Sequence, residues 1–254
     1  MTSTSVVVHP NSSVLALSVA ARLATTIIDA QAERGEASVV LTGGRIASSV
    51  YSQLGRDPVR HAIDWSRVDF WWGDERFVSA DDEQRNDLAA RRALLDVVGV
   101  PPHRIHAMPA SGGPTGDDPE AAAAQYAEEM ASFGGQRYPH FDVVLLGVGE
   151  DAHVASIFPG HPAVYETRTA VAVRGAPKPP PQRITLTYPV INSGQEVWLL
   201  ASGSSKADAV GLAMSGGGFK QAPAAGVSGL NATRWLLDRQ AAAMLPDSFN
   251  SPLR

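Results

Sequence analysis

The chain has 254 residues, 44% of them hydrophobic, with 21 Lys and Arg against 26 Asp and Glu, a formal net charge of −5, and no cysteine. That apolar content suits one large α/β domain or two small ones, while the lack of cysteine removes disulfides, thiol nucleophiles and cysteine zinc sites and fits a reducing, cytoplasmic compartment. No long basic run offers a track for a nucleic-acid backbone, and no uninterrupted apolar segment reaches the ~20 residues that cross a bilayer, so neither nucleic acid nor membrane is an expected partner.

Asn11 and Ser12 can cap a helix carrying Val14, Leu17, Leu23, Ala24, Ile27 and Ile28, which Gly35 ends. A strand over 37–42, a Gly43-Gly44 turn and a helix over 46–54 follow. A strand over 68–72 leads into the polar residues Asp74, Glu75 and Arg76. Next come a helix over 85–98, a short strand over 105–108 and an Ala- and Glu-rich helix over 119–132. A strand over 142–146 follows, whose run Val143 to Leu146 is apolar on both faces, as a strand in the middle of a parallel sheet must be. Strands over 169–173, 183–187 and 197–201, a helix over 204–214, and a final strand then helix across 233–245 complete the pattern.

This alternation predicts an α/β fold with a doubly wound, mainly parallel sheet flanked by helices. Segments 111–119 and 175–182 read as surface connections that leave the composition undivided. A single domain over 1–254 is expected, with room for a small late lobe.

Open sheets of this kind bind ligands outside the carboxyl ends of their strands, so polar residues at strand ends are the candidate chemistry. Gly43, Gly44 and Arg45 end one strand and open a helix, where freed N–H groups can meet a phosphate or hydroxyl. Asp74 and Arg76 follow an aromatic strand, Arg183 opens another, and Lys206 follows a fourth. Asp151 and His153 sit in the Gly-rich turn after the central strand, an acid and a base delivered to the same crevice. Imidazole with a neutral fraction near pH 7 can take a proton from water, and Asp151 can orient either that imidazole or a substrate hydroxyl. The other six histidines lack metal-ligand spacing, and there is no Gly-x-Ser-x-Gly elbow, Walker loop or dinucleotide fingerprint, so neither metal nor nucleotide cofactor is expected.

Four segments resemble, in order, the 6-phosphogluconolactonase family: residues 72–76 with Asn86 downstream, 145–159, 183–187 and 202–206. The resemblance implies a fold shared with glucosamine-6-phosphate deaminase and ribose-5-phosphate isomerase. It also implies cofactor- and metal-free hydrolysis of 6-phospho-D-glucono-1,5-lactone to 6-phospho-D-gluconate in the oxidative pentose phosphate pathway. By matching motifs, His153 becomes the general base, with Asp151 beside it. Arg76, Arg183 and Lys206 become phosphate or substrate contacts, and Gly43, Gly44 and Asp74 line the site.

Two departures stand out. The family's Gly-Gly-Ser-Thr-Pro loop here has Arg45, Ile46 and Ala47 after the glycines, which makes Arg45 an extra candidate anion ligand. The family's Asp-Gly-His here has Ala152 in the middle, which must adopt backbone angles that glycine permits.

A sugar-phosphate isomerase or deaminase of the same fold is the alternative enzyme, against which Ala155, Ser156, Ile157, Phe158 and Pro159 follow the lactonase pattern. A noncatalytic sugar-phosphate sensor is the alternative of another class, against which stand His153 and the lack of an appended basic DNA-binding segment. The oligomeric state is left open.

Overall fold

Asn11 starts the first long helix as its side chain predicts, accepting the N–H of Val14 at 3.0 Å, and Gly35 ends it in the left-handed conformation at φ 82°. The computed structural model describes residues 3–133 and 137–249. In chain order the elements are β1 (Ser3–His9), α1 (Ser12–Arg34), β2 (Ala37–Leu41), α2 (Arg45–Leu54), β3 (Val68–Trp72), β4 (Asp74–Arg76), α3 (Asn86–Ala90), α4 (Asp96–Val98) and α5 (Pro119–Ser132). They continue with β5 (Val143–Gly147), β6 (Ala170–Val173), β7 (Arg183–Leu186), α6 (Tyr188–Ile191), β8 (Glu196–Ala201), α7 (Ala207–Met214) and β9 (Ala232–Asp238).

Six strands form a parallel sheet in the order β1-β9-β8-β5-β2-β3. β5 lies inside it, and Val143, Val144, Leu145 and Leu146 are fully buried, which is why that strand carries no alternation. α1 is long and apolar enough by composition to cross a membrane. Its apolar stripe of Leu15, Val19, Leu23 and Ile27 is instead buried in the core. From β2 the chain moves outward to β3, then returns to β5 on the other side of β2. This reversal opens a crevice outside the carboxyl ends of β2 and β5. A second, antiparallel sheet in the order β4-β7-β6 stands beside it.

The structure corrects several expected elements. β1 was not expected, and it adds a parallel edge strand to β9. Asp74, Glu75 and Arg76, expected only as polar residues after a strand, form a strand of their own by pairing with Thr185, Ile184 and Arg183 of β7. Residues 105–108 are not a strand: Ile105 makes one parallel bridge to Phe70, following a 3₁₀ turn at Pro102–Arg104. The helix over 85–98 is interrupted by a π-type turn at Arg91–Leu95, in which the consecutive residues Leu94 and Leu95 are both fully buried. Among the described residues no α-helix follows β9, only a 3₁₀ turn at Asp247–Phe249. Ala242 N–H reaches Asp238 O at 3.0 Å for a single turn, and Pro246 cannot continue it. The helix expected from 204 starts at Ala207, after a 3₁₀ turn at Ser204–Lys206, and α6 was unforeseen.

Candidate active site

The crevice has a volume of about 620 Å³, and Gly43, Gly44, Arg45, Asp74, Arg76, His153, Arg183 and Lys206 all line it. Asp151 stands behind His153, against its ring.

The turn after β5 folds back tightly, with Gly149 N–H donating to His153 O at 2.9 Å and Ala152 N–H to Gly149 O at 3.1 Å. Ala152 takes up φ 63° and Ala155 φ 50°, so two alanines occupy the left-handed region that normally favours glycine. Ala152 is fully buried, and its carbonyl accepts Ala224 N–H at 2.9 Å, which helps hold that conformation.

His153 has a side chain 17% exposed, with its ring centroid 4.5 Å from that of Phe158. Its Nδ1 bonds to Asp151 Oδ1, so of the two roles open to Asp151 the geometry shows the one toward the imidazole. Burial works to raise the Asp151 carboxyl, but the bond to His153, the imidazole charge and backbone N–H groups outweigh it and hold it at about 2. An ionised Asp151 fixes the proton on Nδ1 and leaves Nε2 with the lone pair.

Cations border the crevice in two groups. Lys206 is half-buried, and its pKa is depressed by burial and by Lys178 and Arg45, against the opposing pull of Glu150 and Asp151. Arg45 is exposed in the first turn of α2, whose N-cap Gly44 has φ 99° and no side-chain acceptor. The other group is Arg183 and Arg76. Arg183 is 5% exposed and donates to the carbonyls of Pro180 at 3.2 Å, Lys178 at 3.0 Å and Pro179 at 3.3 Å. Its guanidinium lies 5.8 Å from the Phe158 ring. Burial depresses its pKa, Asp74 opposes that, and Arg76 reinforces it. Arg76 Nη1 donates to Gln84 O at 2.5 Å, and Asp74 accepts Ser156 Oγ at 2.7 Å.

Buried polar side chains hold these walls. Tyr51 OH accepts Thr42 N–H at 3.0 Å and donates to Thr42 O at 2.8 Å, which pins the entry to the Gly43-Gly44 turn. Glu75 accepts N–H groups from Arg76, Asn86 and Asp87. Burial nevertheless pushes its carboxyl up to about 7, against Arg85 and the N–H groups of Asn86 and Asp87.

Ser12, Ser202, Asp238 and Gln240 form a further wall that was not anticipated. Asp238 accepts Ser202 Oγ at 2.6 Å and Ala241 N–H at 2.8 Å. The signal was present, since Asp238 directly follows the apolar Trp235, Leu236 and Leu237, as Asp74 follows β3.

An acid–histidine pair and bordering cations at the switch point of a doubly wound sheet define an α/β protein equipped for a small, oxygen-rich anion. Residues 10–235 match the family of glucosamine-6-phosphate isomerases/6-phosphogluconolactonase, and the chain belongs to that family. It is 56% identical over 251 residues to the 6-phosphogluconolactonase of Streptomyces coelicolor, across 97% of this chain and 96% of that one. The structure is similar to that of the Trypanosoma brucei 6-phosphogluconolactonase, with a TM-score of 0.81, 27% identity, and coverage of 97% of this chain and 100% of that one. A monomeric glucosamine-6-phosphate deaminase shares the fold, with a TM-score of 0.78 at 24% identity over 94% of this chain and 99% of the other.

Proposed function

We propose that this chain is a carboxylic ester hydrolase that converts 6-phospho-D-glucono-1,5-lactone to 6-phospho-D-gluconate in the oxidative pentose phosphate pathway, acting in the cytoplasm. The observation that carries the mechanism is the Asp151–His153 pair at the wall of a crevice bordered by Lys206 and Arg45. The full-length likeness to a protein named 6-phosphogluconolactonase supports the substrate.

Water attacks the lactone carbonyl at C1 while His153 Nε2 takes its proton, and a tetrahedral oxyanion forms. Collapse breaks the bond from C1 to the ring oxygen, which receives the proton from His153 and becomes the C5 hydroxyl. C1 is then a carboxylic acid, which releases its proton to solvent and leaves as the carboxylate. Asp151, ionised at neutral pH, stabilises the imidazolium between the two transfers. Hydrolysis is redox-neutral, so the proposal calls for no cofactor.

The phosphate is assigned to Lys206, Arg45 and the N-terminus of α2. A lysine depressed by burial and neighbouring cations is relieved by an anion, and the N-cap Gly44 brings no side-chain acceptor to compete with one. Arg183 is assigned a positioning role, because Nε and Nη2 are spent on the carbonyls of residues 178–180. Fixing the phosphate turns remote binding energy into orientation of C1 beside His153.

The test is a coupled assay on freshly made lactone, corrected for spontaneous hydrolysis, with His153→Ala as the variant. Turnover is expected to fall by ~10²–10⁴ with the circular dichroism and melting temperature retained. Near-normal turnover in a folded His153→Ala protein removes His153 as the base.

A further inference from the structure

Asn86 has a side chain whose two ends are used differently. The residue is 4% exposed at the start of α3, and its Nδ2 donates to Asp74 O at 2.9 Å. That bond fixes the carboxamide, with nitrogen toward β4 and Oδ1 directed away from it. Oδ1 fills the space beside the Cα of Gly43, where a β-carbon would overlap it. Asn86 and Gly43 both line the crevice, no donor among the described residues bonds Oδ1, and the atom is not among those sealed off without a partner.

The backbone beneath this side chain is clamped. Glu75 accepts the N–H of Asn86 at 2.8 Å and of Asp87 at 2.9 Å. Arg85 donates to Asp87 Oδ1 and to Met108 O, each at 2.7 Å. The acceptor is therefore held in place before any ligand arrives, at little further entropic cost.

A carboxamide oxygen is a neutral acceptor without a proton of its own. Phosphate and carboxylate oxygens are acceptors too, so a dianionic phosphate gains nothing at this point of the wall. The groups on a sugar lactone that can satisfy it are its hydroxyls. We propose that Asn86 Oδ1 accepts a hydrogen bond from one ring hydroxyl of the polyhydroxy lactone, which makes Asn86 a specificity-determining residue. This assignment rests on the lactonase reading given above. The competing role is a brace that holds Gly43 and Asp74 without touching substrate.

The two roles separate on substrates that each lack one hydroxyl. The wild-type protein and Asn86→Ala are assayed on the parent phospholactone and on its 2-, 3- and 4-deoxy forms. The wild-type protein is expected to lose ~10–100-fold in kcat/KM on one deoxy form, the value of a satisfied buried hydrogen bond. Asn86→Ala is expected to lose a similar factor on the parent and nothing more on that same deoxy form. Asn86→Ser, which keeps a small polar residue at the helix start but whose shorter side chain does not carry an acceptor out to the Oδ1 position, must give the same pattern. Equal losses by the variants on every substrate, or a wild-type protein indifferent to all three deletions, overturn the assignment. A wild-type protein that does not accelerate parent hydrolysis overturns the lactonase reading itself, so the two failures are distinct.

Discussion

The imidazole of His153 lies against the bare Cα of Gly149: a β-carbon there would overlap Nδ1 of His153 and come within 2.6 Å of Asp151 Oδ1. Gly149 is not among the residues with positive φ, so space, and not backbone angle, requires glycine at this point. Gly149→Ala is therefore expected to push the acid–histidine pair out of place. A displacement of about 1 Å costs ~10²-fold in turnover. Steady-state kinetics on the phospholactone check this, and a folded variant with unchanged turnover shows that the pair's position does not matter.

Lys206→Met and Arg45→Ser are expected to raise KM for the phosphorylated lactone severalfold or more while leaving the unphosphorylated lactone nearly unaffected. The Arg45 effect should be steeper at low salt, because that side chain is exposed and open to screening. Arg183→Ala should differ, impairing both lactones alike, since its guanidinium holds carbonyls of residues 178–180. Selective loss of the phosphorylated substrate in Arg183→Ala would return that arginine to the phosphate.

Ala152→Gly restores the family's residue at φ 63°. Removing the β-carbon from a residue held in the left-handed region relieves ~1–2 kcal/mol. Against that stand ~0.5–1 kcal/mol of added chain entropy in the unfolded state and ~0.8 kcal/mol for a lost buried methyl. The three nearly cancel, so urea unfolding should place the variant within ~1 kcal/mol of the parent. A loss well beyond that would mean the methyl is an essential packing element.

His106 supplies a pH dependence remote from the crevice, beside the start of β3. Its ring stacks on Trp71 at 3.9 Å and bonds to Asp69 and Glu129, each at 2.8 Å, while Arg104 also holds Asp69. Burial lowers its pKa, but the two carboxylates together raise it above the ordinary value. A raised histidine pKa contributes stability that is complete below about pH 6.5 and is lost as pH rises through the folded-state value. The melting temperature of the parent should therefore fall from about pH 6.5 upward, and His106→Gln should flatten that slope without changing KM. An identical slope in the variant assigns the dependence to other groups.

Much of this protein is written locally in its chain. A strand buried on both faces must be apolar throughout, so residues 143–146 identify an interior strand unaided. Polar residues directly after such runs mark the strand ends that meet at a switch point, which makes Gly43, Asp74 and His153 legible in the sequence as neighbours at one crevice. Helix caps at Asn11 and Gly35 are equally local, because their partners are three and four residues away.

Other features depend on partners distant in sequence. Asp74, Glu75 and Arg76 form a strand because residues 183–185, more than a hundred positions later, complete their hydrogen bonds. Arg183 looks like any cation at a strand end until the fold lays residues 178–180 across its donors. Asn86 acquires an unmet acceptor through Asp74 O on one side and the missing side chain of Gly43 on the other. Local pattern determined which residues are buried and where strands end, since burial and chain geometry act residue by residue. Tertiary structure alone decided which donors are spent, which acceptors are left open and where a side chain has room, because hydrogen bonding and excluded volume join residues without regard to their separation along the chain.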